Sequence, residues 1–383
     1  MLSVLSFATS AMFLGLGLGR FAFSPIVPEL VEQGWFSADA VQAIAAANLI
    51  GYLLGALAAG WLPKLVSERI ICLLSGIAVV VSYAALLLPF GEVWFWTWRS
   101  ISGVGGALLM VIGTAAAGRE LTRLGHKQLQ PLVFVGIGLG VLFVALGLPT
   151  LLAYGLGASL AGLTFLSAGA VMVLWVSSGF LRREKLHPLT TGQHRPPSSS
   201  TAYLIILAYG CDALGFVMHT IYLPDMLRRS YGHSEVQVAV SWACFGIGAC
   251  LAPAAIMLLR RWVGPLDALW ATYLLKATGV ALVLTASDPN TASLSLFIVG
   301  VLTPGLVILT SSALSSITTP DRYLGLWGAA TATFAFCQMG SGMAIAAVSE
   351  SGYDLALIAS VGVLAAGAAL TISARFIPTE RKP

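Results

Sequence analysis

Twelve stretches of this chain stay apolar for about twenty residues or longer: approximately 2–31, 39–61, 70–89, 92–117, 128–152, 158–180, 202–227, 234–259, 267–286, 291–317, 324–349 and 354–376. At about 1.5 Å of rise per residue, each is long enough as an α-helix to cross the roughly 30 Å hydrocarbon core of a bilayer. Charge points the same way. Only 9% of the residues are charged and 58% are apolar, against about a quarter charged in an ordinary soluble domain. A soluble chain could bury a large core, but it would still need a charged surface that this one lacks. The fold class that follows is an all-α integral membrane protein with twelve transmembrane helices.

The connections are short, with one exception. Residues 181–201, LRREKLHPLTTGQHRPPSSST, are polar, basic and rich in Pro and Ser, and they split the chain into six spans plus six. The expected organisation is a six-helix bundle over 1–180, a cytoplasmic linker over 181–201 and a second six-helix bundle over 202–383. Lysines and arginines set the orientation. With a cytoplasmic N-terminus, fifteen of the twenty fall in inner loops and tails, and two, Arg228 and Arg229, fall outside. This positive-inside bias predicts that both termini and the linker are cytoplasmic. No signal peptide is evident, since a basic n-region and a cleavage site are missing. The five cysteines lie inside apolar segments and are expected to be free thiols. The basic residues form no patch, so no nucleic-acid partner is expected. With no phosphate-binding loop and no His or Cys metal spacing, neither a cofactor nor a metal is expected.

The two halves resemble each other. At an offset of 196, Pro28-Glu29-Leu30 falls on Pro224-Asp225-Met226, Gly19 on Gly215 and Asp39 on Glu235. Parallel six-helix repeats are the plan of a large transporter class, in which the solute site lies near mid-membrane where the repeats meet. Within the fourth span, Arg99-Ser-Ile-Ser-Gly103-Val-Gly105 is similar to the R-x-x-Q-G-x-G motif of the major facilitator superfamily, with Ser102 in place of Gln. Its YbfB/YjiJ branch is resembled by GLGRFAFSPIVPEL in span 1 and by AAANLIGYLLGAL in span 2. The resemblance implies alternating access by two six-helix bundles, with spans 1 and 4 lining the cavity and span 9 outside it. The chain also departs from the family. The loop from Gly60 to Arg69 lacks the Asp usual there, which puts the inner latch attributed to that Asp in doubt. The exporter motif of span 5 is also poor, because Gly147 and Pro149 are separated.

Five ionisable residues sit deep in spans: Arg20, Arg99, Asp212, His219 and Lys276. Such residues are costly in hydrocarbon and mark functional sites by default. Arg20 lies about 5 Å, and Arg99 about 8 Å, to the outer side of its span's midpoint. Two guanidiniums at similar depth suit a carboxylate or phosphate; otherwise they are structural, bonded to acids or freed carbonyls. Asp212 and His219 are seven residues apart on one helix face, and Arg20 lies on the equivalent stripe of span 1. Asp212 is either a proton site or the fixed ion-pair partner of Arg20 or Lys276. His219 either relays a proton or is simply hydrogen-bonded. Lys276 is either a structural partner, with Asp212 a candidate for the other half of the pair, or a substrate contact. Asn48, Tyr222 and Gln338, with Gln42 and Tyr83, either line the cavity or bond between helices. The expected substrate-binding set is therefore Arg20, Arg99, Tyr222, Asn48 and Gln338, and the proton-coupling or ion-pair set is Asp212, His219 and Lys276.

The deep charges sum to three positive and one negative, which favours an anionic solute. The sequence thus reads as a secondary transporter of a small organic anion in a bacterial-type inner membrane, acting as a monomer and driven by a proton or solute gradient. Multidrug or metabolite efflux on the same fold is the alternative. An intramembrane enzyme is disfavoured, because Asp212 and His219 stand about 10 Å apart along the axis, too far for a direct dyad.

Overall fold

The computed structural model describes residues 1–183, 199–285, 288–348 and 354–377. Most of the predicted linker therefore lies outside the described residues. The chain divides into two compact units, Met1–Pro188 and Leu189–Pro383.

Eleven helical stretches among the described residues are long and apolar enough to cross a membrane. In the first unit they are span 1 (Leu2–Glu32), span 2 (Asp39–Ala58), span 3 (Glu68–Leu86), span 4 (Glu92–Arg123), span 5 (Lys127–Leu146) and span 6 (Leu156–Leu181). In the second they are span 7 (Ser200–Thr220), span 8 (Val236–Leu259), span 9 (Pro265–Leu284), span 10 (Pro289–Ile317) and span 12 (Asp354–Phe376). Span 11 (Pro320–Val348) is a continuous helix of 29 residues, long enough to cross but interrupted by Thr331, Thr333, Gln338 and Ser341. Span 5 was expected to run unbroken to 152. It pauses at Gly147, and Leu148–Leu152 forms a separate short helix.

Both units use the same packing plan. In the first, spans 2 and 4, 3 and 4, 3 and 6, 1 and 6, and 1 and 5 lie against each other. In the second, the equivalents 8 and 10, 9 and 10, 9 and 12, 7 and 12, and 7 and 11 do the same. Without a hydrophobic driving force inside lipid, helices associate where small residues let backbones approach. The sequence supplies them. A Cβ on Gly51 would lie 1.9 Å from the Ser100 carbonyl oxygen, and one on Gly140 would lie 2.2 Å from the Cα of Gly17. In the second unit, Gly248 and Gly300 bring spans 8 and 10 together in the same way.

Span 1 is not a uniform helix. It is α-helical over Leu2–Met12, π-helical over Phe13–Leu18, turns at Gly19 and Arg20, passes a 3₁₀ turn at Phe21–Phe23 and resumes as α-helix over Ile26–Glu32. Gly15, Gly17 and Gly19 weaken the helix locally, and Pro25 and Pro28 each remove a backbone donor. The freed carbonyls find substitutes. Ser24 N–H donates to Phe21 O (3.2 Å) and Val27 N–H to Ser24 O (3.3 Å). The carbonyls of Leu18 and Gly19 turn instead to side chains from other spans.

Candidate functional site

Those side chains place the two arginines of the first unit. Tyr83 of span 3 donates its hydroxyl to Leu18 O at 2.5 Å. Asn48 of span 2 donates from one amide nitrogen to Gly19 O (3.2 Å) and to Arg99 O (3.1 Å). Ser102, one turn beyond Arg99, donates to Gly19 O at 3.4 Å. The carbonyl that precedes Arg20 and the carbonyl of Arg99 are thus tied by the same NH₂ group. Asn48, expected to contact solute, spends its amide donors on holding spans 1 and 4 together.

Arg99 is 1% exposed, and its guanidinium lies over the Phe23 ring, 4.2 Å from the centroid. The Tyr83 hydroxyl is its polar neighbour. Its Nε and Nη1 donors have no partner among the described residues. Buried polar groups are nearly always hydrogen-bonded, so two orphaned donors on a buried cation call for an explanation. Arg20 is half-buried, 5.4 Å from the Tyr52 ring centroid and 5.8 Å from that of Phe21. Both arginines therefore rest against aromatic faces, a favourable use of a desolvated guanidinium.

In the second unit the sequence left Asp212 a choice of partners, and the geometry gives Lys276. Lys276 Nζ donates to Asp212 Oδ1 at 2.6 Å, and both side chains are fully buried. Asp212 Oδ2 has no partner among the described residues. His219 Nε2 lies 2.8 Å from Ser295 Oγ, which donates to Gly279 O at 2.7 Å. Gln338 is buried with its Oε1 unpartnered among the described residues, one turn beyond Phe334, which packs on Tyr209 and Phe216. The side chain of Tyr222 lies outside what is described.

One relation was missed in the sequence. Phe23, Tyr83 and Arg99 meet in the first unit, and at the offset of 196 they fall on His219, Gly279 and Ser295, which meet in the second. The repeat therefore reaches individual contacts. Ser295 could have been found as the equivalent of Arg99, but a lone serine in an apolar span carries no signal of its own.

At the end of span 4, Arg119 pairs with Glu68 of span 3 at 2.5 Å, and Arg69 donates to Ser178 Oγ of span 6 at 2.9 Å. Glu68 thus supplies an acid close to where the family's Asp is missing. Among the described residues no cluster of His, Cys, Asp or Glu could hold a metal ion, and all five cysteines are free.

Comparison with known proteins adds to this geometry. The family described as "Uncharacterised MFS-type transporter YbfB" matches residues 12–374. The chain belongs to that family of major facilitator superfamily transporters. This YbfB-type chain is a multi-pass membrane transporter, and the twelve-helix fold read from its hydropathy is that of its superfamily. It is similar to the crystal structure of the human organic anion transporter MFSD10 (TETRAN), with a TM-score of 0.73 and 17% identity over 97% of this chain and 99% of that one. At that identity the likeness shows the fold alone. A search of curated proteins finds no match.

Proposed function

We propose that this transporter carries a small organic anion by alternating access in a bacterial-type inner membrane, with proton coupling through Asp212. The observation that carries the reading is Arg99, a fully buried cation whose Nε and Nη1 donors lack a partner among the described residues. Carboxylate or phosphate oxygens would satisfy both donors and the charge. The human transporter's solute class, organic anions, agrees with this reading without adding weight to it. Asp212 supports the coupling. It is a buried carboxylate with one oxygen on Lys276 and the other bare, and a proton would bind there. Asn48 holds the two arginine-bearing segments in register, and Tyr222 and Gln338 are proposed solute contacts.

The test is a ligand-induced thermal-shift screen of organic acids, amino acids and phosphates on the reconstituted protein at two pH values, beside Arg20→Ala and Arg99→Ala. Anions should stabilise the wild type and lose their effect in both variants. Stabilisation by cations or neutral solutes alone would sink the anion reading. For coupling, Asp212→Asn should still exchange solute but lose gradient-driven accumulation, and full accumulation would exclude a proton role for Asp212. Drug sensitivity of a deletion strain would favour efflux instead.

A further inference from the structure

Hydrogen-bond direction fixes the tautomer of a neutral His219. The Ser295 hydroxyl has one proton, and it goes to Gly279 O at 2.7 Å. The 2.8 Å contact between Ser295 Oγ and His219 Nε2 must then be the imidazole donating. A neutral imidazole that donates from Nε2 leaves Nδ1 as a bare acceptor. That Nδ1 is fully buried and has no partner among the described residues, and the same is true of Asp212 Oδ2. Asp212 and His219 therefore each present a bare acceptor on one face of span 7.

One cation stands beside them. Lys276 Nζ is 2.6 Å from Asp212 Oδ1 and 5.3 Å from the centroid of the Phe216 ring. Phe216 is one turn past Asp212 and one turn before His219 on the same face of span 7. Lys276 is one turn before Gly279 on span 9, the carbonyl that anchors Ser295 and, through it, His219. The ammonium already lies over an aromatic ring carried one turn from each acceptor-bearing residue of span 7. Aromatic faces hold ammonium groups favourably, so the route from one acceptor to the other is not bare hydrocarbon.

We propose that Lys276 is a two-position cation. It is bound to Asp212 while that carboxylate is charged, and it is handed across Phe216 to Nδ1 of His219 when Asp212 takes up a proton. This rests on the proton-coupled reading above. The proton comes from the aqueous phase and adds to Oδ2, converting the carboxylate to a neutral acid. Lys276 keeps its own three protons and its charge throughout. One of its N–H groups leaves Asp212 Oδ1 and donates to Nδ1 instead, and loss of the Asp212 proton reverses the exchange. The other groups around this cluster bring no fixed charge to it. Span 9 brings Tyr273, whose hydroxyl is already given to Ala208 O at 2.7 Å. Span 10 brings Ser295, and span 11 carries Cys337, beside Cys211, and Gln338, whose buried Oε1 is unpartnered among the described residues. Span 12 carries its only charged residues, Asp354 and Arg375, at its two ends. Ser295 is a positioning residue in this scheme, because it decides which nitrogen is open.

The experiment is ¹⁵N-histidine NMR on the full chain in lipid nanodiscs, with His219→Gln assigning one signal pair among the five histidines. The wild type at neutral pH should show a protonated Nε2 and a bare Nδ1. In Asp212→Asn the Nδ1 signal should move to that of a hydrogen-bonded acceptor, and Asp212→Asn/Lys276→Met should return it to the bare position. Should Asp212→Asn fail to fold, acidification of the wild type serves in its place and should move the same signal. A proton found on Nδ1, an imidazolium at neutral pH, or an Nδ1 signal unaffected by both Asp212→Asn and acid overturns the proposal. A signal that moves in Asp212→Asn but not with acid keeps the two-position cation and overturns the proton-coupled reading.

Discussion

Asn48 illustrates what a single polar side chain does in a chain with so few. Its amide donates to two backbone carbonyls, one at the break in span 1 and one inside the span 4 helix. An aspartate at the same place has no donor and would set carboxylate oxygens against carbonyl oxygens. Asn48→Asp should therefore destabilise the protein more than Asn48→Ala, each by at least the roughly 1–3 kcal/mol of an unsatisfied buried group; thermal unfolding in detergent would show it, and equal melting of Asn48→Asp and wild type would refute the tie. The buried pair obeys a related logic. Lys276→Met alone strands a carboxylate, and Asp212→Leu alone leaves the ammonium only the neutral Nδ1 of His219, each expected to cost up to about 3–5 kcal/mol. The double variant Asp212→Leu/Lys276→Met should unfold at a higher temperature than either single one, and a double variant weaker than both would show that the pair is not the coupling between them. The ion pair was one of the alternatives visible from sequence, because few charges were available to choose from. Its partner was settled by the approach of span 9 to span 7.

At the scale of the element, span 1 matters most. Its glycines serve two ends. Gly17 meets Gly140 of span 5 backbone to backbone, and Gly15 meets Gly106 of span 4, so the π-helical stretch is gripped on two sides where it is weakest. A larger side chain at Gly140 has no space, since even its Cβ would stand 2.2 Å from a backbone carbon. Gly140→Leu should lower stability by about 1–3 kcal/mol or more through overpacking. The same change at Gly169, where nothing lies within 4 Å of an added Cβ, should be silent, and a differential melting measurement on the two variants checks both. The sequence carries the small residues that such close packing needs. It did not announce the π-helical segments at Phe13–Leu18, Leu109–Gly113 and Met218–Tyr222, because the choice between i−4 and i−5 bonding depends on what packs outside the helix.

For the molecule as a whole, the repeat is the organising fact. Five helix pairings recur in both units, and one trio of contacts recurs with its chemistry exchanged: a cation on an aromatic ring in the first unit, an imidazole on a hydroxyl in the second. Orientation is also a property of the whole chain. If fifteen basic residues mark the cytoplasmic side, single cysteines placed at Arg123 and Arg261 in a cysteine-free background should resist an impermeant maleimide in intact cells, whereas one at Arg228 should react. The reverse pattern would invert the topology.

The sequence by itself determined the solvent, the number of crossings and the six-plus-six plan. These depend on the free energy of moving segments between water and hydrocarbon, which sums over about twenty residues and needs no neighbour. It also picked out the five deep ionisable residues, since their cost in the membrane is set by residue type and depth. Tertiary structure alone decided who answers whom: that Asn48 ties two backbones, that Lys276 takes Asp212, and that Ser295 leaves one nitrogen of His219 open. Those outcomes turn on hydrogen bonds of about 3 Å between spans far apart in the chain, and such distances exist only once the glycines have let the helices close.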